Sequence, residues 1–467
     1  MFYVFFNLIG GLILDLRSKL INLQEQGIKI KIGIVGVGQM GSGLLANISN
    51  IPGMEVSAVA TKDISATLNF AKEAGYKEKN IIIFDADGFS EGMNLKEDVL
   101  DLRKSKSGQG RIEQINKVDL EGKLVITNDA SVIPAMKDID VVIDATGKPE
   151  VGAFISFNSI INKKHVVTLN VEGDVTIGPI LRKLALSADV VYTVSAGDEP
   201  AAAKELFDFA TSLNLKVVAA GKGKNNPLDK YSNPETLKDF AKSKGSNPYM
   251  MTSFVDGTKS MIEMACLSNA TGLVPDIRGM HGPKADIKEL VNVLIPKKDG
   301  GILSKTGVVD YVTGDLAPGV FLIYTTDSKI VRRDLQYLKN GSGPYFLIYR
   351  PYHLASIETP ISVAKAFLYN ESTIEPGFGF VSEVMACAKK DLKPGDILDG
   401  IGGYTCYGLI ELHEITKKEK FLSMGISEGC VVKRKLSKDE PIKYVDVEIN
   451  TNSFLVNLRK IQDLQIG

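Results

Sequence analysis

The stretch Lys31-Ile32-Gly33-Ile34-Val35-Gly36-Val37-Gly38-Gln39-Met40-Gly41-Ser42-Gly43 constrains the fold more than any other part of the chain. An apolar run precedes the glycines, and a helical run, Leu44-Leu45-Ala46-Asn47-Ile48, follows them. The sequence therefore predicts a buried strand, a tight turn and the first turn of a helix, the context in which G-x-G-x-x-G reads as a dinucleotide-binding turn. Each glycine has its own task. Gly36 allows the sharp turn, Gly38 lets the backbone approach a pyrophosphate, and Gly41 lets the helix pack close to the strand. The free N–H groups at the helix start, including those of Gln39 and Met40, are expected to hold phosphate.

Bulk properties exclude several classes. A length of 467 residues allows two or three domains. The net charge of −1 leaves no basic surplus for nucleic acid. The four cysteines, Cys266, Cys387, Cys406 and Cys430, are widely spaced and form no CxxC pair. That spacing argues against a disulfide scaffold or zinc-thiolate site and fits a cytoplasmic protein. His165, His281, His353 and His413 are scattered as well, with no HExxH.

Met1 to Leu14 is apolar but lacks the basic start and small-residue cleavage site of a signal peptide. It is also shorter than the roughly 20 residues that span a bilayer. Leu12, Leu16, Leu20 and Leu23 recur at helical spacing, which predicts an amphipathic helix over Leu12 to Gln26 docked beside the first strand. A second strand, Glu55 to Ala60, ends at Thr61-Lys62. A cation at that tip suits a ribose 2′-phosphate, so NADP(H) is favoured over NAD(H), although Asp63 stands one or two positions later and suits NAD.

Apolar runs at Ile81 to Phe84, Leu124 to Thr127, Val141 to Ala145, His165 to Asn170, Val190 to Val194 and Lys216 to Ala220 read as further strands. A charged stretch with a helix around Leu95 to Lys104 interrupts them. The alternation predicts an α/β, doubly wound Rossmann sheet through about residue 222. Four loops then surround one crevice: Thr146-Gly147-Lys148, Asn170-Val171-Glu172, Gly197-Asp198-Glu199-Pro200 and Gly221-Lys222-Gly223-Lys224. The small tip Thr146-Gly147 lets the cofactor pass close by. The expected organisation is an N-terminal helix (1–28), a dinucleotide-binding domain (29–222), an α+β catalytic and dimerisation domain (223–380) and a small all-β domain (381–467). A helix is expected from Asp256 or Gly257 to Asn269.

Hydride transfer at a carbonyl needs a proton donor beside the oxygen and a cation to stabilise the alkoxide, and lysine can serve both needs. Lys222 lies between two glycines at a strand tip. Lys259 lies in the first turn of a helix, three residues after Asp256, so both can face one side. Asp198 and Glu199 at another strand end are candidates to orient substrate hydroxyls or bind a divalent metal. His353 is a candidate substrate contact.

Taken together, several ordered motifs resemble a known group. They are GIVGVGQMGSG, Asn170 to Pro179, Gly197-Asp198-Glu199-Pro200-Ala201, Ala219-Ala220-Gly221-Lys222-Gly223 and Phe254-Val255-Asp256-Gly257-Thr258-Lys259. Tyr349-Arg350, Asp391-Leu392-Lys393-Pro394-Gly395 and Gly402-Gly403-Tyr404-Thr405 extend them. The chain resembles the homoserine-dehydrogenase-like oxidoreductases that carry a C-terminal SAF-like domain, a group that includes deoxyxylulose-phosphate reductoisomerase-like enzymes. The resemblance implies an N-terminal NADP(H) domain, a central catalytic and dimerisation domain, and a C-terminal SAF-like β domain. It also implies that Lys259 and Asp256 take the places of the helix lysine and nearby aspartate used by homoserine dehydrogenases. The expected activity is NAD(P)H-dependent hydride transfer on a small polar hydroxy or oxo substrate, phosphorylated in one version, with Lys259 as general acid/base and Lys222 holding substrate. The alternatives are a metal-dependent reductoisomerase and a non-catalytic nucleotide- or sugar-binding sensor.

Overall fold

The computed structural model describes residues 16–84, 112–113, 115–117 and 120–465. The helix expected over Leu95 to Lys104 and the apolar start from Met1 to Leu14 lie outside these residues. The helix Leu16–Glu25 forms as expected within them; Leu16, Leu20 and Leu23 pack on the core beneath the first sheet.

That first sheet holds β1 (Ile30–Val35), β2 (Met54–Ala60), β3 (Ile81–Phe84), β4 (Leu124–Thr127), β5 (Val141–Asp144), β6 (His165–Thr168) and β7 (Tyr192–Val194). Their order is β3-β4-β2-β1-β5-β6-β7, every pairing parallel. The strands are apolar runs buried on both faces, as a parallel sheet covered by helices requires. The chain leaves β1 for β2 on one side and takes up β5 on the other. The switch point therefore lies between β1 and β5, and ligand crevices of such sheets open there, outside the strands' carboxyl ends.

The sheet stops at β7, which corrects the expectation that it runs on through Lys216 to Ala220. That run is the start of β8 (Lys216–Lys224), the middle strand of a second sheet with β9 (Val274–Pro275), β10 (Val308–Thr313), β11 (Val320–Thr325) and β12 (Tyr345–Arg350). β8 pairs parallel with β10 and antiparallel with β11. An apolar strand after a helix carries no local signal for which sheet receives it. The glycines of β8 do fit the observed place. A side chain on Gly221 would meet the Asp310 carbonyl at 1.7 Å, and one on Gly223 would meet the Ala317 nitrogen at 2.4 Å. Neighbouring backbone closes on that face, so Lys222 and Lys224 project from the opposite one.

Helix Thr258–Thr271 is buried along nearly its whole length. It packs against helices Val171–Ala188 and Glu199–Ser212, and against β13 (Ser382–Ala388) and β14 (Cys406–Leu412), an antiparallel pair. Thr258 Oγ1 also accepts from the Gly408 N–H of β14 at 2.9 Å. The C-terminal stretch further contains β15 (Val431–Val432) and β16 (Val447–Glu448). Besides these strands it carries helices His413–Glu419 and Phe454–Gln465, where the sequence suggested strands alone. Tyr444–Asp446 is a single 3-10 turn.

The last helix repairs a defect. Pro179 interrupts helix Val171–Ala188, and proline inside a helix disturbs the bond ladder. Gln462 accepts from the Ile180 N–H at 2.9 Å and donates to the Thr176 carbonyl at 3.1 Å. Among the described residues, no helix is long and apolar enough to cross a membrane.

Candidate active site

The glycine turn forms as the sequence predicts. Gly36 ends β1 at φ +97°, and a side chain there would strike the Ala145 carbonyl at 2.8 Å. A side chain on Gly41 would lie 1.9 Å from the Gly36 carbonyl, so close packing of helix on strand requires glycine. Gly38 faces open space, with nothing within 4 Å of the position its side chain would take. It caps helix Gln39–Ile48 without any side-chain hydrogen bond. Polar N–H groups without a side-chain cap, beside a bare glycine, fit an incoming phosphate. Met40 is exposed at this helix start.

Across the crevice, Thr146 donates from N and Oγ1 to Asp144 Oδ1 at 2.9 and 2.6 Å. Gly147 follows at φ +60° with open space around it. At the tip of β2, Thr61 is buried and accepts from the Thr67 hydroxyl at 3.0 Å. Lys62 is exposed. Asp63 caps helix Ile64–Glu73, accepting from the Ala66 N–H at 2.9 Å.

A chain of polar contacts leads from this crevice to the lysines. Asn170 donates to Asp144 Oδ2 at 3.1 Å and caps helix Val171–Ala188 through the Gly173 N–H at 3.1 Å. In the first turn of that helix, Glu172 Oε1 receives Lys259 Nζ at 2.7 Å. One turn beyond Lys259, Glu263 forms an ion pair with Lys222, which also lies 2.7 Å from Glu199 Oε1. His353 approaches Glu199 Oε1 at 3.4 Å through Nε2 and the Gly197 carbonyl at 3.3 Å through Nδ1. Asp198 caps helix Glu199–Ser212 and accepts from the Glu199 N–H at 3.1 Å. One carboxylate oxygen each from Asp198, Glu199 and Glu263 lies within 4.8 Å of the others.

Crowding of charge in a buried place sets the protonation states. Burial opposes the charge on Lys222, but Glu199 and Glu263 outweigh it and hold the ammonium above the usual lysine range. Burial likewise opposes the charge on Lys259, and Glu172, Glu263 and Asp198 outweigh it. Burial raises Asp198, with Glu199 beside it adding to the rise. Glu199 goes the other way: Lys222 and His353 overcome its burial and keep it ionised. Burial and Glu199 push Glu263 upward against the pull of Lys222 and Lys259. Lys224, two residues beyond Lys222, is pushed down to about 8, by burial first and Lys222 second.

Asp256 pairs elsewhere. Its Oδ2 receives Lys389 Nζ at 2.9 Å, and Oδ1 accepts from the Thr258 N–H at 2.9 Å. Lys389 also donates to the Ser232 and Gly403 carbonyls at 2.9 and 2.8 Å, tying three segments together. The i, i+3 spacing thus does not pair Asp256 with Lys259, because each side chain finds a longer-range partner. The predicted Lys222, Lys259, Asp198, Glu199 and His353 do meet, through Glu172 and Glu263. Sequence reasoning placed Glu172 and Lys224 in crevice loops and gave them no role. It missed Glu263, although the i, i+4 spacing from Lys259 marks it.

A parallel sheet with a glycine turn at its switch point, joined through Glu172 to a buried lysine–carboxylate cluster, defines the class as a Rossmann-type α/β fold. Residues 197–359 match the family described as "Oxidoreductase DRL, catalytic domain". Every lysine and carboxylate of the cluster except Glu172 falls in that segment. No curated protein matches the chain. Among solved structures, the chain is similar to a homoserine dehydrogenase from Thiobacillus denitrificans (14% identity, TM-score 0.41, covering 89% of this chain and 98% of that one). It is also similar to biliverdin reductase from Synechocystis sp. PCC 6803 (13%, 0.27, 44% and 49%). A third is 1-deoxy-D-xylulose 5-phosphate reductoisomerase from Zymomonas mobilis (13%, 0.33, 52% and 59%). The chain spans about half the length of biliverdin reductase, and likenesses this distant assign no activity.

Proposed function

We propose that this chain is an NAD(P)(H)-dependent oxidoreductase acting on a small polar hydroxy or oxo substrate. The observation that carries the proposal is the Lys259–Glu172 ion pair, at the helix start immediately after β6 of the sheet that bears the glycine turn. It brings the matched catalytic segment to the carboxyl-end side of that sheet, where ligands of such sheets gather. The open space at Gly38 and the helix start behind it fit a pyrophosphate. Exposed Lys62, next to an Asp63 committed to a helix cap, favours NADP(H) over NAD(H).

The nicotinamide supplies the hydride when bound. The protein's part is electrostatic. Lys222 and Lys259 stay charged, and fixed cations in a buried site stabilise negative charge developing on a substrate oxygen. The ion pair with Glu172 therefore suits Lys259 to charge stabilisation better than to proton release. Glu172, Glu199 and Glu263 hold both ammonium groups in place, and His353 flanks Glu199. A screen of oxo acids, hydroxy acids and sugar phosphates, read by NADPH oxidation or NADP⁺ reduction, tests the proposal. Turnover that is lost in Lys259→Ala with the fold intact supports it; unchanged turnover in that variant rejects the role of Lys259.

One observation favours a second reading, a reductoisomerase that uses a divalent cation. Asp198, Glu199 and Glu263 have the donor chemistry to hold such a cation, which would act as a Lewis acid on a substrate oxygen. Lys222 now neutralises two of these carboxylates and would have to yield. A divalent-metal requirement for turnover selects this reading, and activity in chelator rejects it.

A further inference from the structure

We propose that Lys224 is the group that gives and takes the proton in this site. The inference rests on the oxidoreductase reading above and gives a role to a residue that reading does not use. Lys222 and Lys224 are alternate residues of β8 and share a face. Both are buried, yet their surroundings differ. Lys222 is clasped by two carboxylates. Lys224 makes no ion pair among the described residues, and its ammonium donates to the Phe254 carbonyl at 2.5 Å.

The charged groups facing Lys224 come from three places. Lys222 lies on its own strand, Glu263 on helix Thr258–Thr271, and Asp256 in the turn before that helix. Its partner across the sheet, Thr313 of β10, carries no charge. Both facing carboxylates are already taken, Glu263 by Lys222 and Asp256 by Lys389. A buried ammonium without its own counterion, next to another cation, gives up its proton readily. Lys222 and Lys259, each clasped by carboxylate, do not. Of the three lysines, two are therefore fixed charges and Lys224 carries the exchangeable proton.

The step balances simply. In the reducing direction a hydride adds to the carbonyl carbon, the C=O π pair moves to oxygen, and the Nζ–H proton of Lys224 completes the hydroxyl. The nicotinamide is oxidised, the carbonyl is reduced, and the neutral amine takes a proton back from water. In the oxidising direction the neutral amine removes the hydroxyl proton as hydride leaves carbon.

The test uses the full chain with carbon-13 at lysine Cε, followed by NMR as pH is raised. Lys224→Arg and Lys224→Met each assign the signal by removing it, so one misfolded variant does not block the assignment. The expected result is a Lys224 signal with its midpoint near the pH of about 8 set by its surroundings, while the Lys222 and Lys259 signals stay fixed. A Lys224 signal that stays fixed with them overturns the proposal. With a substrate from the screen, Lys224→Arg keeps the charge but should lower kcat about 100-fold or more with little change in KM. Retained kcat in Lys224→Arg also overturns it. A parallel NADPH and NADH titration separates the two ideas: if neither binds the wild-type chain, the oxidoreductase reading fails whatever Lys224 does.

Discussion

Lys259 Nζ lies 2.7 Å from Glu172 Oε1, with both side chains largely buried. The contact joins the helix that follows β6 to the helix that opens the lysine cluster. It links the first sheet to the matched segment 197–359.

Breaking one half of a buried pair strands the other charge, which costs about 3–5 kcal/mol. Glu172→Gln and Lys259→Met should each be strongly destabilised in urea unfolding. The double variant should recover a large part of the loss, because no charge is left unpaired. Additive losses would show that the two groups do not depend on each other.

The glycine turn makes two opposite predictions. Gly41→Ala forces a methyl to within 1.9 Å of the Gly36 carbonyl, so it should lower stability by about 1–3 kcal/mol. Gly38→Ala meets open space and has an ordinary φ of −88°. Its melting temperature should match wild type, while nucleotide binding weakens because the methyl stands where the pyrophosphate approaches.

Lys62 sits at the tip of β2 with Asp63 drawn into a helix cap. Lys62→Glu should shift preference from NADPH toward NADH by about tenfold, near 1.4 kcal/mol. The preference ratio in wild type should also fall as salt rises, since an exposed charge pair is screened. An unchanged ratio in Lys62→Glu would remove Lys62 from the cofactor site.

Glu383 of β13 receives Arg459 of the last helix at 2.7 Å and also pairs with His413 at 2.5 Å. Burial opposes its ionisation, but Arg459 and His413 outweigh burial and hold it down at about 2. The folded value lies below the unfolded one. The contribution is therefore fully present above the ordinary glutamate range and is lost as pH falls toward 2. Glu383→Gln should be less stable than wild type at neutral pH, by on the order of 3 kcal/mol. The gap should close as the pH approaches 2. A gap of constant size at all pH values would mean that the charge of Glu383 contributes nothing.

The glycine turn, the strands of the first sheet and helix Thr258–Thr271 were legible because each is encoded locally: glycine spacing, apolar runs and a continuous helix-forming run. The sheet that takes up β8 was not legible, since an apolar run of that kind serves either sheet. Long-range pairing was hidden for the same reason. Asp256 and Lys389 stand 133 residues apart, and Lys259 and Glu172 stand 87 apart. No spacing rule reaches that far. Glu263 was within reach, one helical turn from Lys259. Lys224 differs from Lys222 only in which carboxylates are already occupied, and that is a property of the packed site.

On the proposed function, the turn at Gly36 to Gly41 holds the phosphates of a nicotinamide dinucleotide. Calorimetric titration of NADPH and NADH into the wild-type chain and Gly38→Ala measures this binding. Saturable binding to wild type, tighter for NADPH, is expected, with at least tenfold weaker binding to an equally stable Gly38→Ala. Binding of neither nucleotide to wild type, or equal binding to a folded Gly38→Ala, would contradict it.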